Sequence, residues 1–140
     1  MAVNQPQEDV VTSTKARVSK INTVVLPVAD QEGALEFYVE KLGLEKRVDV
    51  PFGENYRWVE VAPSGAETTI ALAPPPQGGE TGNRQTGIGL YTDDIDGYHE
   101  QLKGSGVDVD AEVSRMGGPV PPLFWVRDPE GNSLMVAGAM

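Results

Sequence analysis

Trp58 and Glu60 stand two residues apart in the run RWVEVA, and Trp125 and Arg127 stand two apart in LFWVR. In an extended strand, residues i and i+2 share a face, so each pair would present an indole beside a charged group. The residues between and around them, Val59, Val61, Phe124 and Val126, are apolar and belong on the opposite face. Tyr91, at the end of GIGLY, adds a phenol to the same inventory. An aromatic wall with a few polar groups is the chemistry of a small-molecule pocket: stacking supplies affinity and the polar groups set orientation. Trp beside Glu suits a cationic or heteroaromatic ligand, through cation–π attraction and ion pairing. The competing assignment of the two tryptophans is to the core or to a dimer interface.

Other chemistries are poorly supplied. Cysteine is absent, which excludes disulfides, thiolate metal sites, iron–sulfur clusters and a cysteine nucleophile. His99 is the one histidine, so a site of two or three imidazoles cannot form within one chain, and a Ser/His/Asp triad would have to use it as base. It lies beside Tyr98 at the edge of a helical apolar stripe and reads as a surface or boundary residue. The GIG of residues 87–89 falls inside a strand and lacks the third glycine of a dinucleotide fingerprint, and no GxxxxGK phosphate loop occurs. Asp93-Asp94 reads as a helix cap, Asp108 and Asp110 as a solvated strand face, and Arg84 as a solvated linker residue.

The elements that must position these groups follow from composition and punctuation. At 140 residues the chain is one domain with a tail, long enough to bury a core without staples. Eleven Lys+Arg against 21 Asp+Glu leave a net charge of −10, which disfavours nucleic acid and anionic membranes as partners and favours cationic ones. No apolar run approaches the roughly 18 residues of a membrane helix, and the N-terminus lacks the basic-then-apolar pattern of a secretory signal. The expected location is the cytoplasm.

Residues 1–17 are polar and aperiodic and read as a flexible tail. The rest, 18–140, reads as a single domain. Residues 21–28 (INTVVLPV) suggest a strand. Asp30 sits at a helix N-cap, followed by Leu35, Tyr38, Val39 and Leu42 at helical spacing and by Gly43 as a stop. Strands are expected over 44–50, 56–62 and 68–73. The Pro- and Gly-rich stretch 74–85 (PPPQGGETGNRQ) reads as a linker. The order then restarts: a strand over 87–92, a helix capped at Asp93-Asp94 with Ile95, Tyr98 and Leu102 as its stripe, strands over 107–113, 123–127 and 133–137, and a loop over 116–122. This is β-α-β-β-β, linker, β-α-β-β-β, an internal repeat of roughly 60 residues, with modules at about 18–73 and 86–138.

Three stretches carry a family likeness: VVLPVAD followed by ALEFYVEKLGL, then GIGLYTDDIDGYHEQLKGSGV, then FWVRDPEGNSLMV. Together they span about 18–137. On them the sequence resembles the vicinal oxygen chelate superfamily, which includes glyoxalase I, bleomycin-resistance proteins, fosfomycin-resistance enzymes and extradiol dioxygenases. The resemblance implies an α+β fold in which two βαβββ modules form one cup-shaped mixed sheet, with helices on the convex side and the ligand in the cup. In family enzymes the cup holds a divalent metal on His and Glu side chains, one from each of four strands. The matching positions here are Thr23 (with Asn22 adjacent), Ala71, Gly87 and Met135. None is a His or a carboxylate, and a hard divalent cation is not held by a threonine and a thioether. The nearby carboxylates Glu60, Glu67, Asp93 and Asp94 fit strand-exposed or capping roles.

The expectation is therefore a metal-free small-molecule-binding protein, similar to bleomycin-resistance-type drug-sequestering proteins, with no cofactor and no catalytic residue. Its ligand-binding set is Trp58, Glu60, Tyr91, Trp125, Arg127, Met135 and Thr23, and its guest an aromatic or cationic small molecule. The alternative is a glyoxalase- or dioxygenase-type metalloenzyme with an atypical metal site. The resemblance also implies a homodimer. The loop over 116–122 is expected to lie over the cup mouth.

Overall fold

The computed structural model describes residues 15–140; most of the expected tail, residues 1–14, lies outside them. Among the described residues the named strands form two four-stranded mixed sheets. The first contains β1 (Thr23–Pro27), β2 (Glu45–Phe52), β3 (Tyr56–Ala62) and β4 (Thr69–Ala73), in the order β1-β4-β3-β2. The second contains β5 (Gln85–Tyr91), β6 (Asp108–Val109), β7 (Leu123–Arg127) and β8 (Ser133–Ala137), in the order β5-β8-β7-β6. Each sheet has the same plan: its first strand pairs in parallel with its last, and the other neighbours are antiparallel. The α+β class and the two βαβββ modules are those expected. Strand pairing stays within each module, so the modules meet through side chains and helices rather than through a shared ladder.

The helices open alike. Asp30 accepts from Gly33 N and caps α1 (Gln31–Glu36); Asp94 accepts from Gly97 N and caps α2 (Ile95–Gly104). Glycine at the third helical position is required by the cap in both: a Cβ on Gly33 or Gly97 would collide with the capping carboxylate. After Glu36 the first helix widens into a π-helical turn, Phe37–Lys41, closed by Leu42 N donating to Phe37 O. The wider turn lets the neighbours Phe37 and Tyr38 both reach the core, where their rings meet edge-on at 5.1 Å.

Alternation along the strands sorts the two faces. Val59 and Val61 of β3, Phe124 and Val126 of β7, and Leu134 and Val136 of β8 are fully buried against the helices. One hydrophobic cluster runs through both modules, and Leu102 of α2 joins it. Cross-module polar contacts add to it: Tyr98 Oη donates to Leu42 O at 2.7 Å, and Lys41 Nζ donates to Ser105 O at 3.2 Å. The alternate residues, Trp58, Glu60, Trp125, Arg127, Ser133 and Met135, are half-buried on the opposite, open face. Neither tryptophan therefore belongs to the core.

Several boundaries differ from the sequence reading; the first strand, for example, is Thr23–Pro27 rather than 21–28. The sixth strand is two residues long rather than seven, because at Asp110 the ladder keeps only one backbone bond, Asp110 N to Trp125 O, while Trp125 N donates to the Asp110 carboxylate instead of its carbonyl. The fifth strand begins at Gln85, inside the stretch read as linker, and carries an irregularity between Gln85 and Gly89 where Gly87 takes a φ of +74°; glycine tolerates that conformation. The second strand runs on to Phe52.

Candidate ligand-binding face

On the first module, β1, β3 and β4 put four side chains into one hydrogen-bonded chain. Trp58 Nε1 donates to Glu60 Oε2 at 2.6 Å, and Thr69 Oγ1 donates to Glu60 Oε1 at 2.8 Å. Thr69 Oγ1 also lies 2.8 Å from Thr23 Oγ1, its neighbour on β1. Thr69 has a single hydroxyl proton, and the charged carboxylate is the stronger acceptor. The Thr23 hydroxyl in turn has two acceptors within reach, Thr69 Oγ1 at 2.8 Å and Thr69 O at 3.2 Å. The chain runs Thr23 to Thr69 to Glu60, with Trp58 closing the other carboxylate oxygen. Its side-chain donors are all used internally, and acceptor lone pairs on Glu60 and Thr23 remain. Among the described residues Glu60 has no ion-pair partner.

Aromatic and aliphatic groups surround this chain. Val48 and Val50 of β2 stand opposite Glu60 and Trp58, and Phe52 stands opposite Tyr56. Phe52 meets the Trp58 ring edge-on, with centroids 5.8 Å apart. Val25, Val50, Phe52 and Tyr56 are all exposed. Ala71, fully buried between them, is the register partner of Glu60.

On the second module, Trp125 and Met135 are register partners on β7 and β8, and the Met135 methyl lies over Gly89 of β5. Arg127 is held by two carboxylates: Nε is 3.0 Å from Asp108 Oδ1, and Nη1 is 3.2 Å from Asp110 Oδ1. Burial works against the Arg127 charge, but these carboxylates raise its pKa above the ordinary value. Asp108 is exposed, as expected of a solvated residue, whereas Asp110 is half-buried; both pair with Arg127. Tyr91, paired with Ala137, stands 64 % exposed at the end of β5. Arg84, also read as solvated, is exposed and donates to Glu80 O at 2.6 Å.

The seven sequence-derived residues thus fall into two groups. Thr23, Trp58 and Glu60 come together on the first sheet; Trp125, Arg127 and Met135 come together on the second, with Tyr91 at its edge. At the seam of the modules lies a cavity of about 630 Å³, walled by Val24 and Ile70 of the first and by Ile88, Leu90, Tyr91 and Val136 of the second. Tyr91 is the one member of the seven that lines it. Sequence reasoning missed Thr69, although counting back two from Ala71 along the same strand places it on the open face. It also missed Asp110, whose role depends on a fold-back that periodicity does not register. The loop over 116–122, expected over a cup mouth, is anchored beside the start of α2, where Arg115 pairs with Asp96 at 2.7 Å.

The residues at the family's metal positions do not fit a divalent cation: Thr23 is engaged with Thr69, Ala71 and Gly87 have no donor side chain, and Met135 offers a thioether. Among the described residues, no three His, Asp or Glu side chains converge in a geometry that could hold a metal ion. No helix among them is long and apolar enough to cross a membrane.

Comparisons with known proteins agree with the fold. The family model of the Glyoxalase/Bleomycin resistance protein/Dioxygenase superfamily matches residues 20–136. The uncharacterized protein YetH of Bacillus subtilis (strain 168) is 32% identical over 119 residues, covering 85% of this chain and 98% of YetH. The crystal structure of TnmS3, an antibiotic binding protein from Streptomyces sp. CB03234, superimposes with a TM-score of 0.78 at 32% identity, over 90% of this chain and 100% of TnmS3. A superfamily member from Sphaerobacter thermophilus DSM 20745 gives a TM-score of 0.79 at 36% identity, over 87% of this chain and 98% of that one. With its two βαβββ modules and a family match over most of its length, the chain belongs to the Glyoxalase/Bleomycin resistance protein/Dioxygenase superfamily.

Proposed function

We propose that this protein binds a small molecule on its open faces and releases it chemically unchanged, as a drug-sequestering protein of the cytoplasm. The observation that carries this reading is the Thr23–Thr69–Glu60–Trp58 chain. It is a fixed, acceptor-rich patch with an indole beside it and one carboxylate lacking a cation. Such a patch is complemented by a guest that brings hydrogen-bond donors or positive charge on an aromatic frame. The donor-poor residues at the family's metal positions support binding over metal-assisted turnover. The likeness to TnmS3, an antibiotic binding protein, supports the same class of guest.

A second copy completes the site in this proposal. The open face of the first module exposes Phe52 and Tyr56 by 51% and 53% of their areas, and that of the second exposes Tyr91. Strands β1 and β5 each leave one edge unpaired. A homodimer that sets the first module of one copy against the second module of the other would cover these apolar groups.

Titration of purified protein by tryptophan fluorescence tests the reading, with bleomycin and a planar cationic dye (acriflavine) against an uncharged quinone. Saturable binding of the cationic probes that survives EDTA treatment, with the probe recovered intact, is the expected result. Stoichiometric metal whose removal abolishes a turnover activity would replace this reading with a metalloenzyme. Sedimentation equilibrium checks the dimer.

A further inference from the structure

We propose that His99 is a positioning residue for the Trp125–Arg127 side of the binding face and acts through Asp110. The sequence suggested a surface or boundary histidine; the side chain is 7% exposed, on the helix side of the second sheet. Its Nε2 lies 2.7 Å from Asp110 O. A carbonyl oxygen only accepts, so Nε2 carries the proton and donates, which assigns the tautomer. Phe124 meets the imidazole edge-on at 4.9 Å and fixes the ring plane.

Asp110 is the junction between the two sides of the sheet. Its carbonyl is held by His99 from the helix layer. Its carboxylate divides: Oδ2 accepts from Trp125 N at 3.0 Å, and Oδ1 accepts from Arg127 Nη1 and Nη2 at 3.2 and 3.3 Å. The strand leading into it has only two residues, and one backbone bond of the ladder reaches Asp110. Its own N–H donates to Trp125 O at 3.1 Å, and the neighbouring Ala111 O accepts from Lys103 Nζ at 3.3 Å. Removing the imidazole donor leaves a carbonyl without its partner beside an apolar ring. Such an acceptor moves toward water. Because the same residue clamps both the backbone of Trp125 and the head of Arg127, that movement loosens two groups of the binding face together.

The effect on ligand binding rests on the function proposed above; the geometry does not. The test therefore reads the face without a ligand. In a Trp58→Phe background Trp125 is the sole tryptophan. His99→Leu fills similar space and donates nothing, whereas His99→Gln retains an N–H of comparable reach. Well below the melting temperature, His99→Leu is expected to shift Trp125 emission to longer wavelength, increase its quenching by acrylamide and move the Arg127 Nε–H resonance. His99→Gln is expected to restore all three. A lowered melting temperature shared by both variants is a packing effect and is scored separately. If His99→Leu does not fold, His99→Asn, whose amide is too short to reach Asp110, takes its place. Emission and Arg127 resonance unchanged in the donor-less variant, or disturbed equally by Gln, overturn the proposal. Acriflavine titration of the His99 substitutions in the otherwise unaltered chain, with Trp58 kept, forms a separate arm: absence of binding to the unaltered protein sinks the ligand-binding reading and leaves the His99 result standing.

Discussion

The Tyr38 hydroxyl donates to Asp128 Oδ2 at 2.9 Å, across 90 positions of sequence and with both side chains buried. The bond ties the helix layer of the first module to the β7–β8 turn of the second. Asp128 also accepts from Glu130 N, Asn132 N and Asn132 Nδ2. From the same turn, the Glu130 carboxylate receives Ala29 N and Asp30 N at the start of α1. Burial, and then the Asp128 carboxylate, raise the Tyr38 pKa well above the ordinary phenol value, so the hydroxyl stays a donor.

Tyr38→Phe should therefore lower the unfolding free energy by ~1–3 kcal/mol, the cost of a buried acceptor losing one partner. Asp128→Ala should cost more, because it strands several donors at once. Urea denaturation measures both. A Phe variant as stable as the parent would show that this bond does not clamp the modules.

Glu60 supplies the charge of the acceptor patch. Glu60→Gln should weaken a monocationic aromatic probe by about tenfold or more, on the scale of ~1.5–3 kcal/mol for hydrogen bonds to charged groups. An uncharged quinone should bind nearly as before. Trp58→Ala should weaken both, since stacking does not depend on the sign of the charge. Equal losses for charged and uncharged probes in Glu60→Gln would contradict the assignment.

Asp49 gives an acid-side signature. Hydrogen bonds from Arg57 to both of its oxygens, at 2.9 and 2.7 Å, hold its pKa at about 2, below the ordinary 3.8. A folded-state value below the unfolded one means that the pair stabilises above about pH 3.8 and loses that contribution as pH falls through about 2. The melting-temperature gap between the parent and Asp49→Asn should be open at neutral pH and close across that window. A gap independent of pH from 5 to ~2 would assign the loss to packing rather than to charge.

The two caps make a matched pair. Asp30→Ala and Asp94→Ala should each cost ~1 kcal/mol. Gly97→Ala should destabilise the parent, because the new Cβ meets the Asp94 carboxylate. In an Asp94→Ala background the same change should stabilise by up to ~1 kcal/mol, the ordinary helix preference of Ala over Gly. A double-mutant cycle in thermal melts reads the coupling; additive effects would show that cap and glycine are independent.

Periodicity and punctuation determined the fold to a large extent. Alternation in RWVEVA and LFWVR assigned Trp58, Glu60, Trp125 and Arg127 to the open face, and Asp30 and Asp94 announced both helices, because face and cap are consequences of neighbours a few residues away. Charge and residue type at Thr23, Ala71, Gly87 and Met135 were likewise sufficient to argue against a hard-metal site. Only the tertiary structure decided which of these groups meet. Thr69 reaches Glu60 across a hairpin, Asp110 folds back onto Arg127 and Trp125, and His99 leaves the surface to hold Asp110. These contacts join residues from 9 to 17 positions apart, and Tyr38 finds Asp128 across the module boundary. Their partners are chosen by where strands and helices pack, and local sequence pattern carries no record of that choice.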